Sequence, residues 1–184
     1  METRFLFVYA IIVGVYGWLD VLVQKNSKSI FRSKADDKTY WPIFIFFILN
    51  LVAIPFECVL SHRPPALISF FPGIVLCLIA TIIRIKGQLD LKHGFSTRVE
   101  LQQGHMLVRT GLYRYIHHPL YLAIILFLTG ADILFLSLYS WIFTLLTIYF
   151  IYNRITKEES FLTSQLEGYE NYMKSTKKLI PYIW

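Results

Sequence analysis

Charged residues are scarce in this sequence. Asp, Glu, Lys and Arg make up 16% of the 184 residues, whereas 55% of the residues are hydrophobic. An ordinary soluble domain carries roughly 25% charged residues. The apolar residues also occur in long blocks rather than in amphipathic stripes, so lipid rather than a protein core must surround most of them. This composition excludes an ordinary soluble domain and predicts an integral membrane protein.

The sequence has only two cysteines, and neither indicates a disulfide framework. Cys58 and Cys77 lie inside apolar blocks and do not have a metal-like spacing. We interpret them as small buried hydrophobic residues. Internal repeats, which a membrane carrier predicts, are also missing. No small-residue cleavage site follows the first apolar block, so we expect that block to remain as a membrane span.

The formal net charge of +6 does not indicate a nucleic-acid partner. The basic residues cluster in the segments between apolar blocks, and this pattern is typical of cytoplasmic loops. It predicts an N-terminus outside and a C-terminus in the cytoplasm. Membrane lipids are therefore the expected surroundings, and we expect no nucleic acid to bind.

The apolar blocks predict an all-α integral membrane fold of about five transmembrane helices in a single domain, residues 1–184. Three spans precede residue 87. The apolar run after Pro119 is too long for one crossing of ~30 Å, so it should form a helical hairpin that reverses at Gly130-Ala131-Asp132. The expected spans are Phe5–Val23, Tyr40–Leu60, Ala66–Ile85, Leu120–Thr129 and Leu134–Tyr152.

Two polar segments remain, and the charge pattern places both on the cytoplasmic side. Residues 87–118 are too polar to cross a membrane, and function is expected to concentrate there. After Tyr152, apolar residues recur at helical spacings with acids and lysines between them. This pattern predicts a C-terminal amphipathic helix on the membrane surface that ends before Pro181.

Polar residues that could carry chemistry flank the predicted hairpin at both ends. Because a helical hairpin brings its two ends together, the two groups should face one another. The groups are His105-x-Leu107-Val108, Gly111-x-Tyr113 and His118-Pro119-x-Tyr121 before the hairpin, and Arg154-x-x-x-Glu158-Glu159 after it.

The order and spacing of these residues resemble the C-terminal region of the isoprenylcysteine carboxyl methyltransferase family, over roughly residues 95–181. The resemblance implies a membrane methyltransferase that binds S-adenosyl-L-methionine and a lipid-like or prenylated acceptor. It implies that Arg154 binds the substrate and is catalytic. The cofactor-binding residues that it implies are Glu100, His105, Met106, Leu107, Val108, Tyr113, His118, Pro119, Leu120, Tyr121 and Glu158.

The residue types suit these roles. A sulfonium and an ammonium group are bound by carboxylates and aromatic faces. An acceptor carboxylate, with an ordinary pKa near 3.5, needs no general base at neutral pH. An arginine such as Arg154 can orient that carboxylate through two parallel hydrogen bonds. The sequence departs from the family at two places. His117 stands where the family usually has the arginine of Arg-His-Pro, and histidine as a residue type has an ordinary pKa near 6.5. The family's Phe-Gly pair after the acids is replaced around Leu166-Glu167-Gly168.

Other interpretations of the same residues remain open. N-methylation of a phospholipid amine would use the paired acids as a base. An NADPH-dependent sterol-type reductase has a related architecture, although no tryptophan-rich segment precedes His118-Pro119. A non-enzymatic scaffold would leave both polar segments merely solvated. In that case Arg154 reaches headgroup phosphates and Thr156-x-x-Glu159 forms a helix capping box.

Two further expectations concern ionisable side chains. A zinc site is disfavoured because the side chains of neighbouring helical positions diverge and the sequence has no His-Glu-x-x-His motif. Four charged residues lie in or near the ends of predicted spans, where we expect interfacial water to solvate them. They are Asp20, Glu57, Arg84 and Asp132.

Overall fold

A computed structural model describes residues 2–26, 39–61, 67–91 and 107–180. The described residues form six α-helices and one short 3₁₀ turn, Gly111–Arg114, and they contain no β-strand. The fold is therefore all-helical in the described part of the chain, as predicted. The helices are α1 (Glu2–Asn26), α2 (Tyr40–Ser61), α3 (Leu67–Leu91), α4 (Pro119–Phe135), α5 (Ser140–Gln165) and α6 (Tyr169–Ser175).

The three N-terminal helices lie where the apolar blocks predict them. By length and composition, two of them are long and apolar enough to cross a membrane, over Tyr40–Leu60 in α2 and Ile68–Leu91 in α3. The apolar parts of α1 and α4 are shorter, Leu6–Leu22 and Pro119–Phe135. The third predicted span ends too early, because α3 continues to Leu91.

The outer surface of α2 and α3 is apolar. Large hydrophobic side chains are exposed along both helices, and an extended apolar surface of this kind marks contact with a partner or a membrane. Examples are Phe44, Phe56, Ile68, Phe71 and Leu78. This surface agrees with a protein embedded in lipid.

The predicted reversal at residues 130–132 is wrong. Helix α4 continues through it to Phe135, and the chain reverses at Leu136, whose φ of 50° is left-handed. Gly130 has a different role, because a Cβ atom there would lie 2.9 Å from the Sγ atom of Cys77 on α3. The glycine thus permits a close contact between two helices rather than a turn.

The tail does not form a separate amphipathic helix from residue 153. Instead, α5 runs without a break from Ser140 to Gln165, and the short helix α6 follows it. At ~1.5 Å per residue, 26 residues extend about 39 Å, which exceeds the ~30 Å of a bilayer core. The residues predicted to open a surface helix therefore lie in the interior of α5.

Helices α3 and α4 pack closely along their length. A Cβ atom added to Gly73 would lie 2.6 Å from the backbone of Leu134, and one added to Gly87 would lie 2.8 Å from Leu120. Small residues at such contacts let helix backbones approach each other in membrane proteins. The packing fixes the start of α4, and with it the site, relative to α3.

Not all charged residues near the predicted span ends are solvated as expected. Asp132 is fully buried and accepts hydrogen bonds from Ser140 Oγ at 2.6 Å, Thr144 Oγ1 at 2.6 Å and Asn50 Nδ2 at 3.0 Å. These donors belong to α5 and α2, so the carboxylate of α4 joins three helices.

Asp20 and Arg84 likewise pair with each other, with Arg84 Nε 2.6 Å from Asp20 Oδ1. Gln88 Nε2 donates to the same Asp20 oxygen at 2.5 Å. Charged groups in apolar surroundings are costly unless they find such partners. This explains why Asp20 and Arg84 pair with each other inside the protein.

Candidate active site

The structure brings most of the predicted site residues to one end of the α4–α5 hairpin. Glu100, His105 and Met106 lie outside the described residues. Leu107 and Val108 are half-buried and belong to no helix, and Tyr113 is buried in the 3₁₀ turn. The remaining residues begin α4 or lie near the end of α5, namely His118, Pro119, Leu120, Tyr121, Arg154 and Glu158.

The end of α3 holds the 3₁₀ turn in place. Asp90 accepts a hydrogen bond from the backbone N–H of Leu112 at 2.8 Å. Gly111 has a φ of +61°, and any Cβ atom at this position would collide with the Asp90 carboxylate. Burial, together with the nearby Glu158 carboxylate, raises the pKa of Tyr113 well above its usual value. The phenol therefore stays neutral beside the acid.

A hydrogen-bonded chain connects Arg154, Tyr121 and Glu158. Arg154 Nε donates to the Tyr121 hydroxyl oxygen at 2.6 Å, and that hydroxyl donates to Glu158 Oε2 at 2.7 Å. The chain crosses from α5 to α4 and back to α5. It confirms that the two ends of the hairpin meet and places a cation and a carboxylate on opposite sides of one phenol.

Arg154 is also held by the start of α2. The side chain is buried, and its Nη1 donates to Thr39 Oγ1 at 3.0 Å. Its guanidinium carbon lies 6.0 Å from the centre of the Tyr40 ring. A guanidinium fixed by α2, α4 and α5 cannot extend to lipid phosphates, so the snorkelling interpretation of Arg154 is wrong.

The two adjacent glutamates have different environments. Glu158 is half-buried, and within the described part of the chain Tyr121 is its one hydrogen-bond partner. Glu159 is buried, and both of its carboxylate oxygens are occupied. Its Oε1 atom lies 3.2 Å from His117 Nε2 and 3.3 Å from His118 Nε2, and its Oε2 atom accepts from Lys178 Nζ at 2.8 Å.

Burial opposes ionisation of Glu159, but the contacts with His117, His118 and Lys178 outweigh it and lower the pKa of the carboxyl far below its usual range. Glu159 is therefore a stable anion. The premise that the two histidines diverge is wrong, because both precede the first residue of α4 and His117 lies in a bend. Both rings can then point to one oxygen.

The C-terminal segment lies against the site. Ile116 and Lys177 form an isolated parallel bridge, with the His117 N–H donating to the Lys177 carbonyl at 2.9 Å. The Tyr172 hydroxyl of α6 donates to the Tyr113 carbonyl at 2.7 Å. These contacts fix the loop that carries Tyr113 and the histidines onto α6 and the residues after it.

Sequence reasoning missed Thr39, Glu159, Thr176 and Lys178 as parts of this site. The sequence pattern identifies Glu159 only as one of two adjacent acids or as half of a capping box. The capping box is wrong, because Thr156 lies inside α5 and donates to the Tyr152 carbonyl. The adjacent acids Glu158 and Glu159 could have indicated two different roles. The contact of Thr39 with Arg154 joins residues 115 positions apart, so no local sequence pattern could have indicated it.

Comparisons with known proteins give a family match and several similar proteins. Residues 73–164, from α3 to the end of α5, match the family described as "Isoprenylcysteine carboxyl methyltransferase (ICMT) family". The chain is 28% identical over 169 residues to the protein-S-isoprenylcysteine O-methyltransferase of Schizosaccharomyces pombe. The match covers 79% of this chain and 68% of that protein.

Two rice proteins are similar as well. A probable protein-S-isoprenylcysteine O-methyltransferase from Oryza sativa subsp. indica is 29% identical over 118 residues, and its counterpart from subsp. japonica matches equally well. The matched segment covers 61% of this chain and 61% of each rice protein. The likeness thus extends over about three fifths of the rice proteins' length.

Proposed function

The chain belongs to the isoprenylcysteine carboxyl methyltransferase family, because the family match covers half of its residues, and we propose that it methylates the carboxylate of an isoprenylated cysteine or a similar amphiphile. The methyl donor is S-adenosyl-L-methionine. The observation that carries this proposal is the chain of hydrogen bonds from Arg154 through Tyr121 to Glu158. It provides an anion for a cationic donor and a cation for an anionic acceptor within one site.

The described residues fit the methyl donor. When bound, S-adenosyl-L-methionine supplies an electrophilic methyl group on a sulfonium. Glu158 has one carboxylate oxygen that makes no hydrogen bond to any described residue, so it can accept one from an ammonium or a ribose hydroxyl. The buried Tyr113 and the half-buried Tyr121 add aromatic surface beside it, which favours a cation.

Arg154 suits the acceptor carboxylate. Thr39, Tyr40 and Tyr121 hold the guanidinium in one position, so an approaching carboxylate is oriented without further ordering of the side chain. No side chain has to remove a proton from a carboxylate acceptor, because that group is ionised at neutral pH. In this proposal the protein contributes orientation and exclusion of water rather than acid–base chemistry.

The membrane location is part of the proposed mechanism. We propose that α1 to α5 all cross the bilayer, with the N-terminus outside and the site at the cytoplasmic end of the α4–α5 hairpin. Arg154 lies between the starts of α2 and α4, both of which continue into apolar segments. An acceptor bound there can keep its prenyl chain among lipid tails while its carboxylate reaches Arg154.

Calorimetric titration of the detergent-purified protein with S-adenosylhomocysteine and with NADPH tests the cofactor. We expect micromolar binding of S-adenosylhomocysteine and none of NADPH. Glu158→Ala should weaken the binding at least tenfold, since a hydrogen bond to a charged group contributes about 1.5–3 kcal/mol. Glu167→Ala removes an exposed glutamate near the end of α5 and is the matched control, with unchanged affinity.

Acceptor class is tested with radiolabelled methyl donor and two substrates, an S-prenylated cysteine and phosphatidylethanolamine. Labelling of the prenylated cysteine as a base-labile ester supports the proposal. Labelling of the phospholipid amine alone would show N-methylation instead. Binding of NADPH but not of S-adenosylhomocysteine would indicate a reductase. Binding of neither molecule would contradict the proposed cofactor site.

A further inference from the structure

A second cluster of side chains lies next to the proposed methyl-transfer site. It consists of His117, His118 and Glu159, all of them buried. One atom from each, two imidazole nitrogens and one carboxylate oxygen, lie within 4.8 Å of one another. The methyl-transfer proposal assigns no role to His117 or Glu159. The question is what holds these three groups together.

The tautomer of His117 can be worked out from its neighbours. The hydroxyl of Thr176 has one hydrogen, and it donates this hydrogen to the Tyr172 carbonyl at 2.8 Å, because a carbonyl oxygen can only accept. The same hydroxyl oxygen lies 2.8 Å from His117 Nδ1. The nitrogen must therefore be the donor. In a neutral ring this leaves a lone pair on Nε2.

That lone pair points at an anion. His117 Nε2 is 3.2 Å from Glu159 Oε1, and His118 Nε2 is 3.3 Å from the same oxygen. Either a proton or a metal ion between this nitrogen and the carboxylate oxygen would make the contact favourable. Two imidazoles and one carboxylate are also the protein ligands of many zinc sites.

The distances match those within a zinc coordination shell. Zinc bonds to imidazole nitrogen and carboxylate oxygen are roughly 2.0–2.1 Å long, so two ligand atoms of a tetrahedral site lie about 3.3 Å apart. The two His–Glu separations of 3.2 and 3.3 Å agree with this value. The two imidazole nitrogens lie within 4.8 Å of each other, so the side chains would move modestly to close around an ion.

We propose that His117, His118 and Glu159 bind a zinc ion, a site that goes beyond the proposed methyl transfer and shares His118 with the cofactor-binding residues that the resemblance implies. The ion joins the loop before α4 to α5, and through Thr176 it also holds the C-terminal segment. An open pocket of about 510 Å³ borders His117 and Glu159 and leaves room for a water as the fourth ligand, although Lys174, Lys177 and Lys178 also line it.

The neighbours of the cluster support the ligands as outer-shell partners do in known metal sites. Thr176 accepts from His117 Nδ1 and thereby turns Nε2 toward the ion. Lys178 donates to Glu159 Oε2 and leaves Oε1 for the metal, so the carboxylate binds through one oxygen.

The site is tested on the full chain purified in detergent without an affinity tag. After dialysis against submicromolar free zinc at pH 7.5, we expect about one zinc per chain by mass spectrometry. Cobalt in place of zinc should give the visible absorption of a tetrahedral site. The thermal unfolding midpoint should rise with added zinc and fall with a chelator, whatever the methyltransferase activity.

Two variants make the result specific. His117→Arg removes one ligand but supplies a cation for Glu159, so the metal-free protein should fold while zinc binding falls at least a hundredfold. Thr176→Val keeps all three ligands and should weaken zinc binding about ten- to a hundredfold. Zinc content below a tenth of an equivalent, or equal zinc binding by His117→Arg, would overturn the site. The three side chains would then contact one another without a metal.

Discussion

Tyr121 of α4 donates its hydroxyl hydrogen to the Glu158 carboxylate of α5 at a distance of 2.7 Å. The two residues are 37 positions apart in sequence. They meet because the α4–α5 hairpin brings the last turns of α5 next to the first turn of α4. The same hydroxyl accepts from Arg154. One phenol therefore fixes the relative positions of the groups proposed to hold donor and acceptor.

Replacing Tyr121 with phenylalanine should break this connection without leaving a cavity. A hydrogen bond with a charged partner contributes about 1.5–3 kcal/mol, so we expect kcat/KM for methyl transfer to fall roughly ten- to a hundredfold. Steady-state kinetics would measure the change. Tyr149→Phe, which alters an exposed tyrosine of α5, should have no such effect. Equal activity of the two variants would contradict the role given to Tyr121.

Arg154→Lys keeps the positive charge but loses the fork that donates to both Tyr121 and Thr39. We expect kcat to fall at least tenfold, while the affinity for S-adenosylhomocysteine changes less than threefold. Kinetics and calorimetry on one preparation separate the two effects. Arg114→Lys, at an exposed position of the 3₁₀ turn, is the control. A variant that kept full turnover would show that charge alone is enough.

Gly73→Ala should destabilise the protein. The new methyl group would lie 2.6 Å from backbone atoms of Leu134, which cannot move without shifting α4 against α3. Overpacking of this kind costs about 1–3 kcal/mol, and the thermal unfolding midpoint in detergent should fall accordingly. Gly17→Ala has no atom within 4 Å of the added methyl group and should be neutral or slightly stabilising. The same change would then have opposite effects at two helix positions.

Alkaline pH should destabilise the fold through Tyr113. Its folded-state pKa is raised, above all by burial, so the stabilisation is complete below the unfolded-state pKa near 10 and is lost as the pH rises toward the folded value. The slope contributed by one such group is at most about 1.4 kcal/mol per pH unit. Unfolding midpoints between pH 9 and 11 should fall less steeply for Tyr113→Phe than for the wild type or for Tyr115→Phe.

The sequence was informative where one physical rule decided the outcome. Apolar blocks long enough to span a bilayer predicted α1, α2 and α3. Most of the predicted ends lie within a few residues of the helix ends in the structure. The hairpin argument predicted that Tyr121 and Glu158 would meet, because the ends of two antiparallel helices must lie together. These predictions needed only length, hydropathy and chain connectivity.

Predictions failed where a residue type has two uses. Gly130 and Asp132 together suggested a turn, but the glycine permits contact with Cys77 and the aspartate is fully bonded inside the bundle. Likewise, Lys178 reaches Glu159 only because α6 and the residues after it fold back onto the loop. Partners brought together by tertiary packing leave no period or spacing in the sequence that could reveal them.

Asp132 has a consequence for how the chain enters the membrane. A carboxylate opposes the insertion of an apolar helix by up to roughly 3 kcal/mol at the helix centre, and α4 has only 17 residues to compensate. Its partner Asn50 is on α2, which is synthesised first, while Ser140 and Thr144 follow on α5. We therefore expect the integration of α4 to depend on an α2 helix already resident in the bilayer, so that the order of synthesis and the order of assembly coincide.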